Sequence, residues 1–225
     1  MGRAAEKASP VPILAPIGLV PDHPLQAAFP VGRSGVVQGP AGVSVALRGS
    51  VAQIAITARR GQDAAMAELF QARYGLAAPS GPHHVVAGPV ALVGIGPGRW
   101  IFLHDAADST SLAATLAAEL GALAAVTDLS DSRCVLRLWG PQLRAVFAKG
   151  LPIDLHPSRF APGDAATSVI ALINVHLWQL DELPCFEIAV PRSLVGSFAA
   201  WLRASAGEFG MDVVDADRIR SSLRA

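Results

Sequence analysis

Residues 135–150 read Val-Leu-Arg-Leu-Trp-Gly-Pro-Gln-Leu-Arg-Ala-Val-Phe-Ala-Lys-Gly, and this stretch decides how the chain folds. Val135 to Trp139 is a short, largely apolar run with the length of a strand. Gly140-Pro141 ends it, and Pro141 is expected at the first helical position, where its missing N–H costs nothing. Leu143, Val146 and Phe147 then fall at i, i+3 and i+4 on one helical face, and Gly150 closes the helix. Downstream, strands are predicted near 167–173, 175–180 and 186–190. Ser193 is placed to cap a last helix with Leu194, Phe198, Trp201 and Leu202 on one stripe.

The same plan stands upstream. Val43–Leu47 and Val51–Ala58 alternate and are rich in β-branched residues, so they read as two strands joined by a turn at Arg48-Gly49-Ser50. A helix follows with Asp63 as N-cap, Met66, Leu69, Phe70 and Tyr74 on one face, and Gly75 at its end. Strands near 84–87, 90–94 and 100–104 lead to a helix starting at Asp108 or Ser109, with Leu112, Leu116 and Leu120 inward. The two halves repeat at an offset of roughly 80 residues, which implies an internal duplication. The expected fold is α+β: two ferredoxin-like halves, 41–124 and 125–210, each with helices on one face of a mainly antiparallel sheet.

Two flanks complete the expectation. Residues 1–40 hold seven prolines from Pro10 to Pro40, so an extended arm is predicted in which neither helix nor sheet propagates. Ile13, Leu14, Ile17, Leu19, Val20, Leu25 and Phe29 are too apolar for a free spacer, and the arm should lie over its own domain or over a partner. Residues 211–225 read as a polar tail.

Composition narrows the function. Of 225 residues, 52% are apolar and 16% charged, ample for a core and sparse for the surface of a free monomer. Eighteen basic residues balance eighteen acidic ones, leaving no general field for nucleic acid or anionic lipid. No segment approaches the ~18 apolar residues of a membrane span, and no secretory h-region precedes the prolines. A soluble cytoplasmic protein is expected. The spacing of Cys134 and Cys185 leaves a disulfide open, but two isolated thiols read better as reduced core residues.

The chemistry-bearing residues each have a structural reading that outweighs the functional one. Gly94-Ile-Gly96-Pro-Gly98-Arg99 lacks the lysine-serine/threonine ending of a phosphate loop and opens no helix, so it reads as a hairpin turn. Of His23, His83, His84, His104, His156 and His176, no two are spaced as a helical metal pair. His83 and His84 point to opposite faces of a strand. Asp154 and His156 share a face of an extended segment, where a carboxylate could orient the imidazole, but a turn network beside prolines is the better reading. Ser130, Ser132 and Ser193 lack a nucleophile-elbow context. The expected catalytic, cofactor-binding and metal-binding sets of this chain are all empty.

Three phrases go further. They are Thr127-Asp-Leu-Ser-Asp-Ser-Arg-Cys-Val-Leu-Arg-Leu-Trp-Gly-Pro141, Ala148-Lys-Gly-Leu-Pro-Ile-Asp-Leu-His-Pro157 with Phe160-Ala-Pro-Gly163, and Phe186-Glu-Ile-Ala-Val-Pro-Arg-Ser193 leading to Phe198-Ala-Ala-Trp-Leu202 and Glu208-Phe-Gly210. Together they resemble the gamma subunit family of heterotetrameric sarcosine oxidase, chiefly from Trp100 to Gly210. The same half is distantly similar to the folate-binding fold of the glycine-cleavage T-protein, through Asp128-Leu-Ser130, Gly140-Pro141 and Pro162-Gly163. Where T-proteins carry a glycine-rich turn with paired aspartates, this chain reads Leu172-Ile-Asn-Val-His-Leu-Trp178. The lysine-glycine-cysteine motif of folate-dependent iron–sulfur assembly proteins is also missing, because Lys149-Gly150 is followed by Leu151.

The resemblance implies a non-catalytic accessory subunit of an enzyme that oxidises sarcosine to glycine, forms hydrogen peroxide and passes the one-carbon unit to tetrahydrofolate. It implies alpha, beta and delta partners, with alpha the most direct. FAD, FMN, NAD, tetrahydrofolate and zinc would belong to those other chains. Two competing readings are a free-standing folate-binding or aminomethyltransferase-like protein and an interaction module outside any oxidase.

Overall fold

The computed structural model describes residues 24–49, 51–105 and 108–215. The rest of the arm with His23, the turn residue Ser50, and residues 216–225 of the tail lie outside the described residues. The chain runs α1 (Pro24–Ala28), β1 (Gly32–Ser34), β2 (Val43–Leu47), β3 (Val51–Ala58), α2 (Asp63–Tyr74), β4 (His84–Ala87), β5 (Val90–Gly96), β6 (Arg99–Asp105), α3 (Ser109–Leu120) and β7 (Ala124–Asp128). It continues with β8 (Arg133–Trp139), α4 (Leu143–Ala148), β9 (Ala165–Ile170), β10 (Ile173–Asp181), β11 (Cys185–Pro191), a 3-10 turn at Arg192–Leu194, α5 (Val195–Ala206) and β12 (Met211–Val214).

These strands form two sheets, one ordered β1-β12-β2-β8-β11-β10-β9 and the other β4-β5-β6-β3-β7. Every pairing is antiparallel except β12 with β2. Alternate residues along each strand serve different cores. Ile54, Ile56, Leu92 and Phe102 of the smaller sheet pack against Met66 and Phe70 of α2 and Leu116 and Leu120 of α3. Leu136, Leu138, Leu177 and Ile188 of the larger sheet pack against Val146 and Phe147 of α4 and Phe198 and Leu202 of α5. On the opposite faces Ala91, Val93, Ile101 and Leu103 meet Val135, Ala165, Trp178 and Ala189. The order of layers is therefore helices, sheet, sheet, helices. Burial on both faces explains why β5 and β6 read as unbroken apolar runs rather than alternating ones.

Three expectations need correction. Val43–Leu47 and Val51–Ala58 are strands, but they are not a hairpin: β2 hydrogen-bonds β8 and β12 in one sheet, and β3 hydrogen-bonds β6 and β7 in the other. The connection through Arg48 and Gly49 crosses between layers. β2 thus joins the sheet built mainly by residues beyond 125, while β7, straddling the expected boundary at 124/125, stays with the earlier strands.

The polar tail begins later than 211. Met211 and Val213 are buried, and β12 runs parallel to β2 and carries β1 on its outer edge. The arm is not extended from residue 24 onward. Pro24 opens a short helix, a position where proline needs no amide hydrogen, and Arg33 of β1 pairs with Asp212 at 3.0 Å.

The helix starts also differ in detail. Asp108 caps α3 by accepting from the Ser111 amide at 2.8 Å. Asp63 and Ser193 cap nothing: the N-cap positions are Gln62 and Leu194, and neither side chain bonds the helix end. Pro141 sits in the turn ahead of α4, one residue before its N-cap Gln142. In α5 the buried face holds Val195, Phe198, Ala199, Leu202 and Ala206, with Trp201 at its margin and Leu194 turned outward.

Candidate functional site

The inter-sheet layer holds the protein's concentrated polar chemistry. Glu187, in the middle of the apolar strand β11, is 1% exposed and faces the second sheet. Its Oε1 accepts from Arg137 Nε at 3.0 Å and Nη2 at 2.7 Å, and its Oε2 accepts from Arg48 Nη1 at 2.7 Å and Trp178 Nε1 at 3.1 Å. All the lone-pair capacity of a carboxylate is then used. Arg48 also donates to Asp105 Oδ1 at 2.6 Å, so its guanidinium ties β11 of one sheet to the end of β6 in the other. A carboxylate so fully committed is a joint between layers, not a free base.

His84 stands nearby, its ring 5.8 Å from that of Trp178. Burial pushes its pKa down to about 4, against a smaller opposing pull from Glu187, so the imidazole is neutral at pH 7. His176, buried further along the same layer, accepts or donates at 2.9 Å with Thr167 Oγ1. Burial again comes first in lowering its pKa to about 4, with Arg133 and Arg99 adding to it.

Beside this layer, where β3, β8 and the start of α3 come together, lies a cleft of about 380 Å³. Arg48, Gln53, Ser130, Arg133 and Arg192 line it, with Asp108 and Asp131. Ser130 Oγ accepts from the Gln53 amide at 2.9 Å, and Gln53 Nε2 donates to the Arg133 carbonyl at 3.0 Å, bridging the sheets.

The residues weighed from sequence fall into ordinary structural places. The glycine run 94–98 is the β5–β6 hairpin, and a Cβ on Gly94 would sit 2.0 Å from the Gly81 carbonyl oxygen, so chain packing accounts for that glycine. His83 lies 3.0 Å from Asp164 and is mostly exposed, whereas His84 turns inward, as alternation requires. Asp154 accepts from the backbone amide of His156 at 2.8 Å, and the His156 ring meets Ser158 at 2.8 Å, so the pair forms a turn and not an acid–base couple. Cys134 is opposite Val190 and Cys185 opposite Trp139, at the two ends of the β8–β11 pairing, and both thiols are free. Among the described residues no group of three or more His, Cys, Asp or Glu could hold a metal ion. No helix among them is long and apolar enough to cross a membrane.

Sequence reasoning passed over Glu187, Arg48, Arg137 and Gln53. A signal existed for Glu187: a lone acid inside Phe-Glu-Ile-Ala-Val is out of place in a strand buried on both faces.

The chain matches the family described as "Sarcosine oxidase, gamma subunit family" over residues 59–208. It is 38% identical over 135 residues to the sarcosine oxidase subunit gamma of Corynebacterium sp. (strain P-1), an alignment covering 58% of this chain and 64% of that one. The chain thus spans just under two thirds of this relative's length. Among solved structures it is similar to a chain of the heterotetrameric sarcosine oxidase from Corynebacterium sp. U-96, with a TM-score of 0.66 and 30% identity, covering 82% of this chain and 90% of the other. The glycine cleavage system aminomethyltransferase T from Bartonella henselae shares the fold, with a TM-score of 0.55 at 16% identity over 77% of this chain and 48% of that one.

Proposed function

The chain belongs to the sarcosine oxidase gamma subunit family, and from that premise we propose that it is a non-catalytic subunit that stabilises a heterotetrameric oxidase. The correspondence over residues 59–208 carries this reading. The complex would oxidise sarcosine to glycine with release of hydrogen peroxide and hand the one-carbon unit to tetrahydrofolate. In this proposal the alpha, beta and delta chains hold FAD, FMN, NAD, tetrahydrofolate and zinc, and this chain docks most directly on alpha, in the cytoplasm. We read the two sheets as a pair of ferredoxin-like units that exchange β2 across the duplication.

Two observations support a structural role. Glu187, Arg48 and Arg137 are spent on joining the sheets, and His156 and Asp154 on a turn. Leu172, at the turn where T-proteins carry paired acids, is instead an exposed apolar residue.

Native mass spectrometry of the tagged chain purified from its own host tests the proposal. Flavin-bearing partners should accompany it, and the chain alone should neither oxidise sarcosine nor bind tetrahydrofolate in a calorimeter. Recovery of the chain without oxidase subunits, or turnover by the chain alone, overturns the reading.

A further inference from the structure

Three features of the cleft beside the inter-sheet layer point the same way. Gln53 is only 3% exposed; its Nε2 is satisfied, but Oε1 meets no donor among the described residues. Buried polar atoms are rarely left so, because an unmet acceptor retains the full desolvation cost. Arg192 likewise has Nε buried and without an acceptor, while its Nη2 reaches only the fully exposed Asp131 at 3.6 Å. Arg133 has no carboxylate partner among the described residues; its guanidinium makes one long contact, 3.4 Å to the Ala189 carbonyl, and burial lowers its pKa.

The cleft therefore offers unspent cationic donors beside one unspent acceptor. Arg48 adds to the field although each of its terminal nitrogens already donates to a carboxylate, Glu187 or Asp105. Of the two lining acids, Asp108 is committed to capping α3, and Asp131 lies in solvent where its charge is screened. A volume of about 380 Å³ is at the small end of ligand sites, which run roughly 300–1,000 Å³. It suits a compact molecule with a few waters.

We propose that this cleft binds a compact carboxylate that also carries a hydrogen-bond donor, the class to which α-amino acids belong. The carboxylate sits against Arg133 and Arg192, where planar guanidinium groups match its geometry. The donor meets Gln53 Oε1, which is covered in the free chain and is reached when the side chain turns towards the cleft. The assignment stands on the cleft and not on the subunit role: loss of oxidase partners would leave it intact, and failure to bind a ligand would leave the subunit role intact.

The test is calorimetry on the full chain with glycine as probe, against acetate, methylamine and sodium chloride at matched ionic strength. Glycine should bind, acetate at least tenfold more weakly, and methylamine and chloride not measurably. Arg133→Gln and Arg192→Gln should each weaken glycine binding tenfold or more with circular dichroism unchanged, while Arg73→Gln, remote on α2, should not. Where Arg133→Gln fails to fold, Arg192→Gln decides. The proposal is overturned if the folded chain gives no glycine heat at tens of millimolar, if acetate binds as well as glycine, or if binding survives both arginine substitutions.

Discussion

Glu187→Gln is the substitution that most directly probes what holds the layers together. It keeps the side chain's size but removes the charge that two arginines share, and it turns one acceptor oxygen into a donor facing other donors. Arg48 and Arg137 have side chains 18% and 23% exposed, too covered for water to replace the lost acceptor fully. Removing one partner from a buried ion cluster costs about 3–5 kcal/mol, and here Trp178 Nε1 shares the carboxylate as well. Urea unfolding followed by tryptophan fluorescence measures it. With a slope of roughly 2–3 kcal/mol per molar, the midpoint should fall by about 1–2.5 M. The triple variant Arg48→Met, Arg137→Met, Glu187→Leu should recover most of the loss, because an apolar replacement of the whole set leaves no orphaned charge; Asp105 is more than half exposed and loses little. A Glu187→Gln loss below 1 kcal/mol, or a triple variant as unstable as the single one, would refute the joint.

Acid should weaken the fold before the carboxylates titrate. His84 and His176 are held at about 4 against an ordinary 6.5, so the unfolded chain takes up protons that the folded chain refuses. Stability is complete above 6.5 and is lost as pH falls towards 4. Between pH 7.5 and 5 the loss is about 2 kcal/mol for each histidine. Urea midpoints at the two pH values read it, His84→Phe should remove about half, and a flat profile would contradict the burial argument. Gly140→Ala should cost about 2–3 kcal/mol in the same assay, because φ is +132° and the added Cβ would lie 2.4 Å from the Gly42 carbonyl oxygen; an effect under 1 kcal/mol would show that the β2–β8 junction yields easily. Leu172→Gly should stabilise the chain. Ala171 and Leu172 turn the β9–β10 hairpin at φ 47° and 70°, a region costing roughly 1–2 kcal/mol for a side-chain-bearing residue, and Leu172 is 94% exposed, so its removal forfeits little packing. After the entropy that glycine adds to the unfolded state, the gain is about 0.5–1 kcal/mol, and any net loss would mean the leucine packs where this structure shows solvent.

The sequence pattern locates elements better than it locates partners. α2, α3 and the strands β5, β6, β8, β10 and β11 are legible because an apolar period and a glycine or proline stop are local properties of the chain. Whether β2 folds back on β3 is not local. Val43–Leu47 has the alternation of either arrangement, and the choice rests on Val43 and Val45 filling the core under α5 while Ile54 and Ile56 fill the one under α2. β12 is only four residues long and carries an aspartate, too short to register above a polar terminus, and its strand character comes from parallel pairing with β2. The polar layer escaped for a related reason. Arg48, Arg137 and Glu187 are far apart in sequence and become a unit only when two sheets face each other.

The placement of β2 in the larger sheet bears on whether either expected half could fold alone. If each half were self-contained, residues 41–124 could be cut out as a folding unit. β2 stands between β12 and β8, however, so its removal would part Met211 and Val213 from Leu136 and Leu138 and leave β12 and β1 with no sheet to join. The first unit would keep β3 to β6 and both of its helices but lose β7 beyond Ala124, and with it Val135, Trp178 and Ala189 from the face of β5 and β6. Arg48 is where both dependencies meet: the residue after β2 donates into each sheet at once. The chain that crosses at Arg48 ties the two sheets to each other, so neither is complete without the other.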